Sequence, residues 1–459
     1  MLNRYAIATL ILASATASGV AWSQSSTQSD APTTPATAPK TSTAPAAGQA
    51  QAAAGSEDQQ LIARGGYLAK LGDCVACHTA EKGKPFAGGL AFDTPVGKIY
   101  STNITPDQDT GIGKFTLEDF DNAVRHGIGK DGSTLYPAMP YPNYAKIRPS
   151  DIKALYAYFM HGVQPVAQAN KDSDITWPLS MRWPLSIWRH VYAPDVVTDD
   201  ASTDKDAVLR GKYLVEGLGH CSACHTPRGM GYQEKTLSDG DTAFLSGGVI
   251  DNYLAKNLRG DITDGLGKWT EADIVAFLKS GRNDHTAAFG GMADVVENSL
   301  QHASDEDLTA IAKYLKTLKP VDPNAKALAY DDTAYKALIS GSDRSNGALT
   351  FVDNCMACHR ASGKGYEQTF PVLAQNSAVN SADPTSLISI VLRGGEMPWT
   401  KAAPTHYGMP AFDDRLTNQD IADVLTFVRT SWGNKASAVT ADQVAKIRKD
   451  SGAVAEPKR

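Results

Sequence analysis

Long apolar runs, blocks of like charge and nucleotide-binding signatures are all missing from this chain of 459 residues. Beyond the N-terminus no uninterrupted run of about 18 apolar residues occurs, so we expect no transmembrane helix in the mature chain. The net charge is −6 and no block of five or six like charges occurs, which argues against a nucleic-acid partner. No phosphate-binding loop, nucleophile elbow or dinucleotide fingerprint is present either. These absences direct attention to the six cysteines.

The first 23 residues have the pattern of an export signal. Arg4 supplies a positive charge, residues 6–17 are a short apolar stretch, and Ala21-Trp22-Ser23 is a small-x-small cleavage site. A membrane anchor is the alternative for this segment. Residues 24–56 are rich in Ala, Thr, Ser, Gln and Pro and contain no aromatic residue, so we expect a disordered linker there. The chain is thus predicted to be exported to the periplasm.

Every cysteine of the chain lies in a C-x-x-C-H motif. Two thiols three positions apart on one helical turn add to the two vinyl groups of a haem, and the adjacent histidine faces the iron as its proximal ligand. The motifs combine Cys74 and Cys77 with His78, Cys221 and Cys224 with His225, and Cys355 and Cys358 with His359. Three copies behind an export signal predict three covalently bound haem c groups.

Zinc binding and disulfide formation are the alternative uses of these cysteines. A zinc site pairs two C-x-x-C units or adds distant histidines, and it does not need the adjacent histidine each time. Disulfides need no histidine, although an exported location permits them. The repeated complete motif favours haem over both.

The segments around the three motifs share one order of elements. A short helix delivers the cysteines, and a second helix after the motif ends in a basic residue followed by a glycine that suits a left-handed C-cap. A methionine comes next, followed by an amphipathic closing helix with its own N-cap. The second helices are predicted at 116–125, 270–279 and 384–393, with glycines at 127, 281 and 394. This is the order of small class I cytochromes c, whose first and last helices pack together.

The methionine in each repeat is the candidate sixth ligand of the iron. A thioether opposite an imidazole favours ferrous iron and raises the reduction potential. The candidates are Met139, Met292 and Met409. Met397 competes with Met409 at the third site, and we favour Met409 because it directly precedes the closing helix.

Histidine is the alternative sixth ligand at any of the three sites. The candidates are His126, His285 and His406. If all three sites instead pair histidine with methionine, no iron keeps an open coordination position. That arrangement favours pure electron transfer over oxygen or peroxide chemistry, and we expect no catalytic residue on this chain.

With the motifs placed, the chain resembles the tri-haem cytochrome c subunits of membrane-bound bacterial sugar and alcohol dehydrogenases. The resemblance covers roughly residues 57–435. It rests on the stretches 72–78, 99–106, 134–141, 177–184, 282–285 and 430–434. Residues 170–174 and 285–292 favour the FAD-linked gluconate type over the quinoprotein alcohol dehydrogenase type.

The resemblance implies a function that this chain does not perform alone. In that family a separate catalytic subunit holds FAD or pyrroloquinoline quinone, and a small third subunit accompanies it. The cytochrome subunit takes electrons from the catalytic subunit and reduces ubiquinone. The resemblance therefore implies a protein on the periplasmic side of the cytoplasmic membrane, in peripheral contact with that membrane. Its haem ligands are the Cys, His and Met residues already named.

We therefore expect a mainly α-helical chain of three tandem class I cytochrome c domains. The predicted bounds are 57–195, 196–322 and 323–435, followed by a C-terminal tail, 436–459, that is a weak helix or frayed. Other functions remain open. They are a subunit of an aldehyde or molybdenum dehydrogenase, a stand-alone multihaem peroxidase, and a cytochrome subunit of a terminal oxidase.

The segment from Trp177 to Tyr192 is rich in Trp, Leu and Ile and carries two arginines. Tryptophan and tyrosine beside arginine suit a membrane interface. The alternative is a brace packed between the first two haem domains, and the sequence favours the brace.

Overall fold

The computed structural model describes residues 47–94, 96–201, 204–250 and 252–457. The predicted export signal, 1–23, and residues 24–46 of the predicted linker lie outside these ranges. The remaining linker residues, 47–56, form the start of the first helix, α1 (Ala47–Leu71), which thus begins before the predicted domain boundary. The helices and strands after α1 all belong to one structural unit, which begins within α1 at Ala53.

Helices dominate the described residues, as predicted. In chain order those after α1 are α2 (Cys74–Cys77), α3 (Leu117–His126), α4 (Tyr141–Tyr144), α5 (Pro149–Ala157), α6 (Trp183–Tyr192), α7 (Ala207–Tyr213), α8 (Ser222–His225), α9 (Glu271–Ser280), α10 (Gly291–Asn298), α11 (Asp305–Thr317), α12 (Thr333–Ser340), α13 (Asn346–Asn354), α14 (Met356–His359), α15 (Thr385–Arg393), α16 (Asn418–Thr430) and α17 (Ala441–Asp450). Single π-helical turns at Tyr158–Gly162 and Leu214–Leu218 extend α5 and α7. None of the helices in the described ranges has the length and apolar character needed to cross a membrane.

Strands are few and short, and they form antiparallel pairs. The pairs are β1 (Ala91–Thr94) with β2 (Gly97–Tyr100), β3 (Gly248–Ile250) with β4 (Tyr253–Ala255), and β5 (Gly395–Glu396) with β6 (Gly408–Met409). The third pair matters for the site, because it aligns Met409 with Gly395, two residues before Met397.

A glycine allows the first helix of each repeat to touch the backbone of its closing helix. A Cβ atom at these glycines would fall 1.9 to 2.4 Å from a carbonyl oxygen of the closing helix. The contacts join Gly65 to Ala154, Gly211 to Ala310, and Gly347 to Asp423. The helices α1 and α5, α7 and α11, and α13 and α16 therefore cross at backbone contact. This is the packing of first and last helices that the repeat order predicts.

The second helix of each repeat begins and ends largely as its sequence predicts. Thr116 caps α3 with a reciprocal bond to Asp119, and α9 begins in the same way at Thr270. Gly127 and Gly281 close these helices in the left-handed conformation, with φ of 64° and 75°. In the third repeat α15 ends at Gly394 in a more extended geometry, with ψ of −167°.

Buried apolar side chains form two clusters rather than three. The first cluster runs from Leu68 to Leu318 and mixes residues of the first two predicted domains. The second runs from Ala348 to Ile447. The first two predicted domains, which meet at 195/196, thus share one hydrophobic core. Of the two alternatives given for the tail, the structure shows a helix, α17, which packs Val444 and Ile447 into the second cluster.

Candidate haem-binding sites

The three C-x-x-C-H motifs adopt the same local structure. Each forms a single helical turn, α2, α8 or α14, in which the histidine N–H donates to the carbonyl of the first cysteine at 3.0 Å. This turn is what a C-x-x-C-H spacing requires if both thiols and the imidazole are to serve one group. None of the six cysteines, all of which the structure describes, is in a disulfide. Burial raises the pKa of Cys74, Cys221 and Cys355 to about 12, so these thiols are protonated.

The three motif histidines are held in the same orientation. Each Nδ1 lies within hydrogen-bond distance of a backbone carbonyl: His78 at 2.7 Å from Thr102, His225 at 2.7 Å from Lys256, and His359 at 3.0 Å from Pro371. A carbonyl only accepts, so Nδ1 carries the proton and Nε2 keeps a free lone pair.

Burial keeps these three imidazoles neutral. It lowers the pKa of His225 to about 4, and it also lowers the pKa of His78 and His359, although the carbonyl contact opposes the shift in each case. A neutral imidazole with a free Nε2 is the form that binds iron. The motif histidines therefore suit the proximal-ligand role.

Met139 lies in a loop fixed at both ends by backbone hydrogen bonds. Its N–H donates to the carbonyl of Tyr136 at 3.3 Å, and its carbonyl accepts from the N–H of Tyr141 at 2.8 Å. The side chain packs against the same apolar cluster as Cys74. Met292 likewise joins the cluster that Cys221 contacts, but it lies in the first turn of α10, a helix that the sequence did not indicate.

Met409 and Met397 both line one cavity with the third motif. The cavity walls include Cys355, Cys358 and His359. Residues 286–289, between α9 and α10, close another side of it. The N–H of Met397 donates to Tyr407 at 3.0 Å, which continues the β5–β6 pairing and places the two methionines on neighbouring strands. The geometry therefore brings both predicted candidates to the third site.

Two of the three alternative histidine ligands have other partners. His285 stacks on Trp269 at a centroid distance of 5.2 Å, and its Nε2 lies 3.2 Å from Asp273. His406 is exposed and faces Glu396 at 3.7 Å. His126 closes α3, and burial lowers the pKa of its ring.

The donor set fits haem c. At each motif two thiols that form no disulfide meet one neutral, oriented imidazole, and a thioether packs into the same cluster or cavity. By contrast, no group of three or more His, Cys, Asp or Glu side chains suited to a metal ion occurs within the described ranges. The fold and these sites define a c-type cytochrome.

Sequence comparisons place the chain more closely. The cytochrome c family model matches residues 208–319 and 345–432. The gluconate 2-dehydrogenase cytochrome c subunit of Pantoea cypripedii is 59% identical over 396 residues, which are 85% of this chain and 90% of that protein. The cytochrome c subunit of the quinone alcohol dehydrogenase of Gluconacetobacter polyoxogenes is 54% identical over 413 residues, covering 89% and 88%. The fructose dehydrogenase cytochrome subunit of Gluconobacter japonicus is 37% identical over 411 residues, covering 84% and 82%.

The chain belongs to this family of dehydrogenase cytochrome c subunits. Its cytochrome c domains bind haem covalently, and its function is electron transfer.

Proposed function

We propose that the chain holds three haem c groups and passes electrons from a separate catalytic dehydrogenase subunit to ubiquinone. The observation that carries the proposal is the threefold recurrence of a thiol pair next to a histidine whose Nδ1 is tied to a carbonyl. Within the proposal the sixth ligands are Met139, Met292 and Met409. The haem domains have the predicted bounds 57–195, 196–322 and 323–435.

Bound haem supplies a one-electron carrier whose potential depends on its ligands, its burial and nearby charge. The protein contributes fixed ligands. Because each Nδ1 is anchored to a carbonyl, the imidazole cannot rotate away from its position. Each methionine packs into the apolar cluster or cavity that its motif contacts. Iron that alternates between the ferric and ferrous states takes up no proton, so electron transfer among the three sites needs no proton donor.

The first two sites are joined by direct contacts. Asn143, beside the Met139 loop, donates a hydrogen bond to Ser222 in the second motif at 2.8 Å. Ser299, after α10, donates to the carbonyl of Leu71, just before the first motif, at 3.2 Å. Both bonds are buried. The two sites thus share one rigid scaffold, which suits electron transfer between them.

The second and third sites are joined as well. Asn376 donates to the carbonyl of His285 at 2.9 Å, and Ser389 in α15 donates to the carbonyl of Asn252 at 2.6 Å. Residues 286–289 of the second repeat line the third cavity itself. A chain of three sites with fixed contacts at both junctions supports the proposal of a relay.

The proposed partner subunits are inferred from the complexes to which the relatives belong. The names of the relatives specify gluconate 2-dehydrogenase, quinone alcohol dehydrogenase and fructose dehydrogenase. We propose a catalytic subunit of this kind, carrying FAD or pyrroloquinoline quinone, and a small third subunit. The substrate is oxidised on the catalytic subunit. The location proposed is the periplasmic side of the cytoplasmic membrane.

We further propose that the outer face of α6 and the residues before it rest on the membrane. Trp177, Trp183, Ile187 and Val191 are all more than half exposed. The segment Trp177–Tyr192 contains no acidic residue in a chain whose net charge is −6, so it is not repelled by anionic lipid. Exposed tryptophan at a helix surface suits the interfacial layer of a bilayer.

Substrate-driven reduction tests the function. The protein is purified from detergent-solubilised membranes together with its partner subunits, and gluconate, ethanol, sorbitol or an aldehyde is added separately while the reduced c-type band is followed. We expect one substrate to reduce the haems and added ubiquinone to reoxidise them. Dithionite serves as the control for full reduction. Complete reduction by dithionite with none by any substrate would contradict the assigned partner class.

A further inference from the structure

Four buried polar atoms without a hydrogen-bond partner among the described residues lie on or beside the Met139 loop. One of them, the Oδ1 of Asn143, is an acceptor in an amide that bonds to Ser222 of the second motif, and the other three are donors. These donors are the hydroxyl oxygens of Tyr136 and Tyr141 and the Nε of Arg189. Tyr141 has no exposed surface at all. A buried donor left unpaired is costly, and a native fold rarely tolerates several in one place. Their coincidence beside a candidate haem ligand indicates that another group meets them.

Helix α6 brings the arginine to this loop. Trp188 anchors the helix by donating from Nε1 to the carbonyl of Gly231 at 2.7 Å, and its ring packs edge-on against Tyr141 at 6.2 Å. Arg189, the next residue, reaches the carbonyl of His126 at 3.5 Å. The neighbouring Gly127 lies against Tyr141, whose ring is 2.6 Å from where a Cβ of Gly127 would be. The inner face of α6 therefore covers the first site and braces it against the second repeat.

A second guanidinium approaches the same loop from the start of α6. Arg182 lies over the ring of Tyr136 at 4.1 Å and donates to the carbonyl of Thr134 at 3.1 Å. Arg189 has only a distant contact, 3.5 Å, to the carbonyl of His126. Within the described part of the chain no carboxylate forms an ion pair with Arg189, whereas Arg64, Arg125, Arg148 and Arg210 all have one.

We infer that Tyr136, Tyr141 and Arg189 form a cradle for a carboxylate, and that this carboxylate is a propionate of the haem at the first site. All three of these unpaired atoms can donate a hydrogen bond, and one of them belongs to a cation, so the complementary group accepts hydrogen bonds and is anionic. Haem carries two such carboxylates beside the ring that Met139 would face. The inference rests on the proposed haem site and makes Arg189 a positioning residue.

The test uses the holoprotein and three variants, Arg189→Gln, Arg189→Lys and Tyr141→Phe. Loss of a cation beside the haem stabilises the ferric state, so Arg189→Gln should lower the midpoint potential of one haem of the three in a spectroelectrochemical titration. Arg189→Lys should restore most of that shift. His190→Gln, an exposed change at the neighbouring position, is the matched control and should leave all three potentials unchanged.

Tyr141→Phe should change the unfolding temperature differently depending on whether a carboxylate occupies the cradle. If a carboxylate occupies the cradle, removing the hydroxyl breaks a hydrogen bond and lowers the unfolding temperature of the holoprotein. If nothing binds there, removing an unpaired buried hydroxyl leaves that temperature unchanged or raises it. Because the ring is kept, this variant also decides the question if Arg189→Gln does not fold.

The haem content per chain distinguishes a failure of the proposed function from a failure of the proposed cradle. Fewer than three haems per wild-type chain would contradict the proposed function, whatever the variants show. Three haems in Arg189→Gln with all potentials at their wild-type values would overturn the cradle and leave the proposed function standing. Unchanged potentials together with an unfolding temperature of Tyr141→Phe at or above the wild type would overturn it as well. Free acetate added to the wild type should change neither readout, since the haem carboxylate already fills the cradle.

Discussion

The hydroxyl of Tyr213 donates a hydrogen bond of 2.6 Å to Asp151, which belongs to the closing helix of the preceding repeat. The reciprocal bond is also present, because Tyr67 of the first repeat donates to Asp307 in the closing helix of the second at 2.7 Å. The first two repeats thus exchange one tyrosine each. The exchange lies beside the single hydrophobic core that they share, which includes Tyr213 and has Tyr67 packed against it.

Each of these carboxylates also receives an arginine from its own repeat. Arg64 donates to Asp151 at 2.7 Å, and Arg210 donates to Asp307 at 2.8 Å. In the third repeat Asn346 precedes the close-contact glycine, as Arg64 and Arg210 do, and donates to Asp420 at 3.1 Å.

The tyrosine position is also different in the third repeat. Counted from the close-contact glycine, Leu349 takes the place of Tyr67 and Tyr213, and Leu349 is partly exposed. The third repeat therefore takes no part in the exchange and packs its own core.

Replacing Tyr213 by phenylalanine tests the exchange. A hydrogen bond to a charged group contributes about 1.5 to 3 kcal/mol, so we expect Tyr213→Phe to lower the free energy of unfolding by about 2 kcal/mol in urea titrations. The partly exposed Tyr335 offers a matched control, and Tyr335→Phe should change stability little. Equal stability of both variants would show that the Tyr213 bond contributes nothing.

Asp151 should make the protein sensitive to acid. Burial raises its pKa, but the hydrogen bond from Tyr213 and the charges of Arg64 and Arg148 together lower the pKa by more, so the net shift is downward. A carboxyl whose pKa is lower in the folded state contributes stability above its unfolded pKa, near 3.9, and loses it as the pH falls through the folded pKa.

The variant Asp151→Asn isolates this contribution. At about pH 7 it should be markedly less stable than the wild type, because the buried Arg148 loses its 2.9 Å ion pair and keeps only a 3.7 Å contact with Asp204. The difference in urea midpoint should narrow as the pH falls below about 4. Asp172→Asn, at an exposed position, is the control. A difference that stays constant with pH would contradict the assigned charge state.

Gly211 is predicted to be intolerant of any side chain. A Cβ there would lie 1.9 Å from the carbonyl oxygen of Ala310, and both atoms belong to backbone that cannot rotate away. We expect Gly211→Ala to cost about 3 kcal/mol, the upper end of the range for overpacking, when unfolding is measured by circular dichroism. Gly55 is also helical but has nothing within 4 Å, so Gly55→Ala should be neutral or stabilising. Equal stability of Gly211→Ala and Gly55→Ala would contradict the close contact between α7 and α11.

The sequence predicts those features whose physics is local. A C-x-x-C-H turn, a capping box such as that of Thr116, and a left-handed glycine such as Gly127 each depend on a few consecutive residues. The order of helix, motif, methionine and helix is therefore visible in the chain. The contact of Gly65 with its closing helix follows from that order, because the first and last helices of one repeat must pack together.

The features that the sequence did not predict depend on long-range partners. Tyr67 and Asp307 are 240 residues apart, and nothing near either residue indicates that they meet. The same holds for Arg189 of α6, whose role depends on the Met139 loop above which it lies. The π-helical turn at Leu214–Leu218 lies in the repeat with the longest spacing between the close-contact glycine and the first cysteine, which is ten positions against nine in the first repeat and eight in the third. Counting along the three motifs would have revealed this difference.

The outer face of α6 should determine binding to lipid. Trp183 and Ile187 are 63% and 56% exposed, whereas Trp188 of the same helix is tied to Gly231. We expect Trp183→Ser with Ile187→Ser to weaken sedimentation with anionic lipid vesicles several-fold and to leave unfolding unchanged. Ile339→Ser removes an equally exposed apolar side chain from α12 and is the control. Unchanged vesicle binding would rule out this face as the contact.

Midpoint potentials of the haems can show which of the two candidate methionines is the ligand at the third site. Met409 lies on β6 opposite Gly395, and Met397 lines the same cavity from the neighbouring strand. Loss of a thioether ligand lowers the potential of a haem, so Met409→Leu should lower one of three midpoint potentials and change the spectrum of that haem. Met397→Leu nearly conserves volume at a buried position, so it should cost less than about 1.5 kcal/mol and leave the potentials in place. Met230→Leu, at a fully exposed position, controls for the substitution itself. If instead Met397→Leu lowered one potential and Met409→Leu changed none, the ligand would be Met397, and Met409 would only line the cavity.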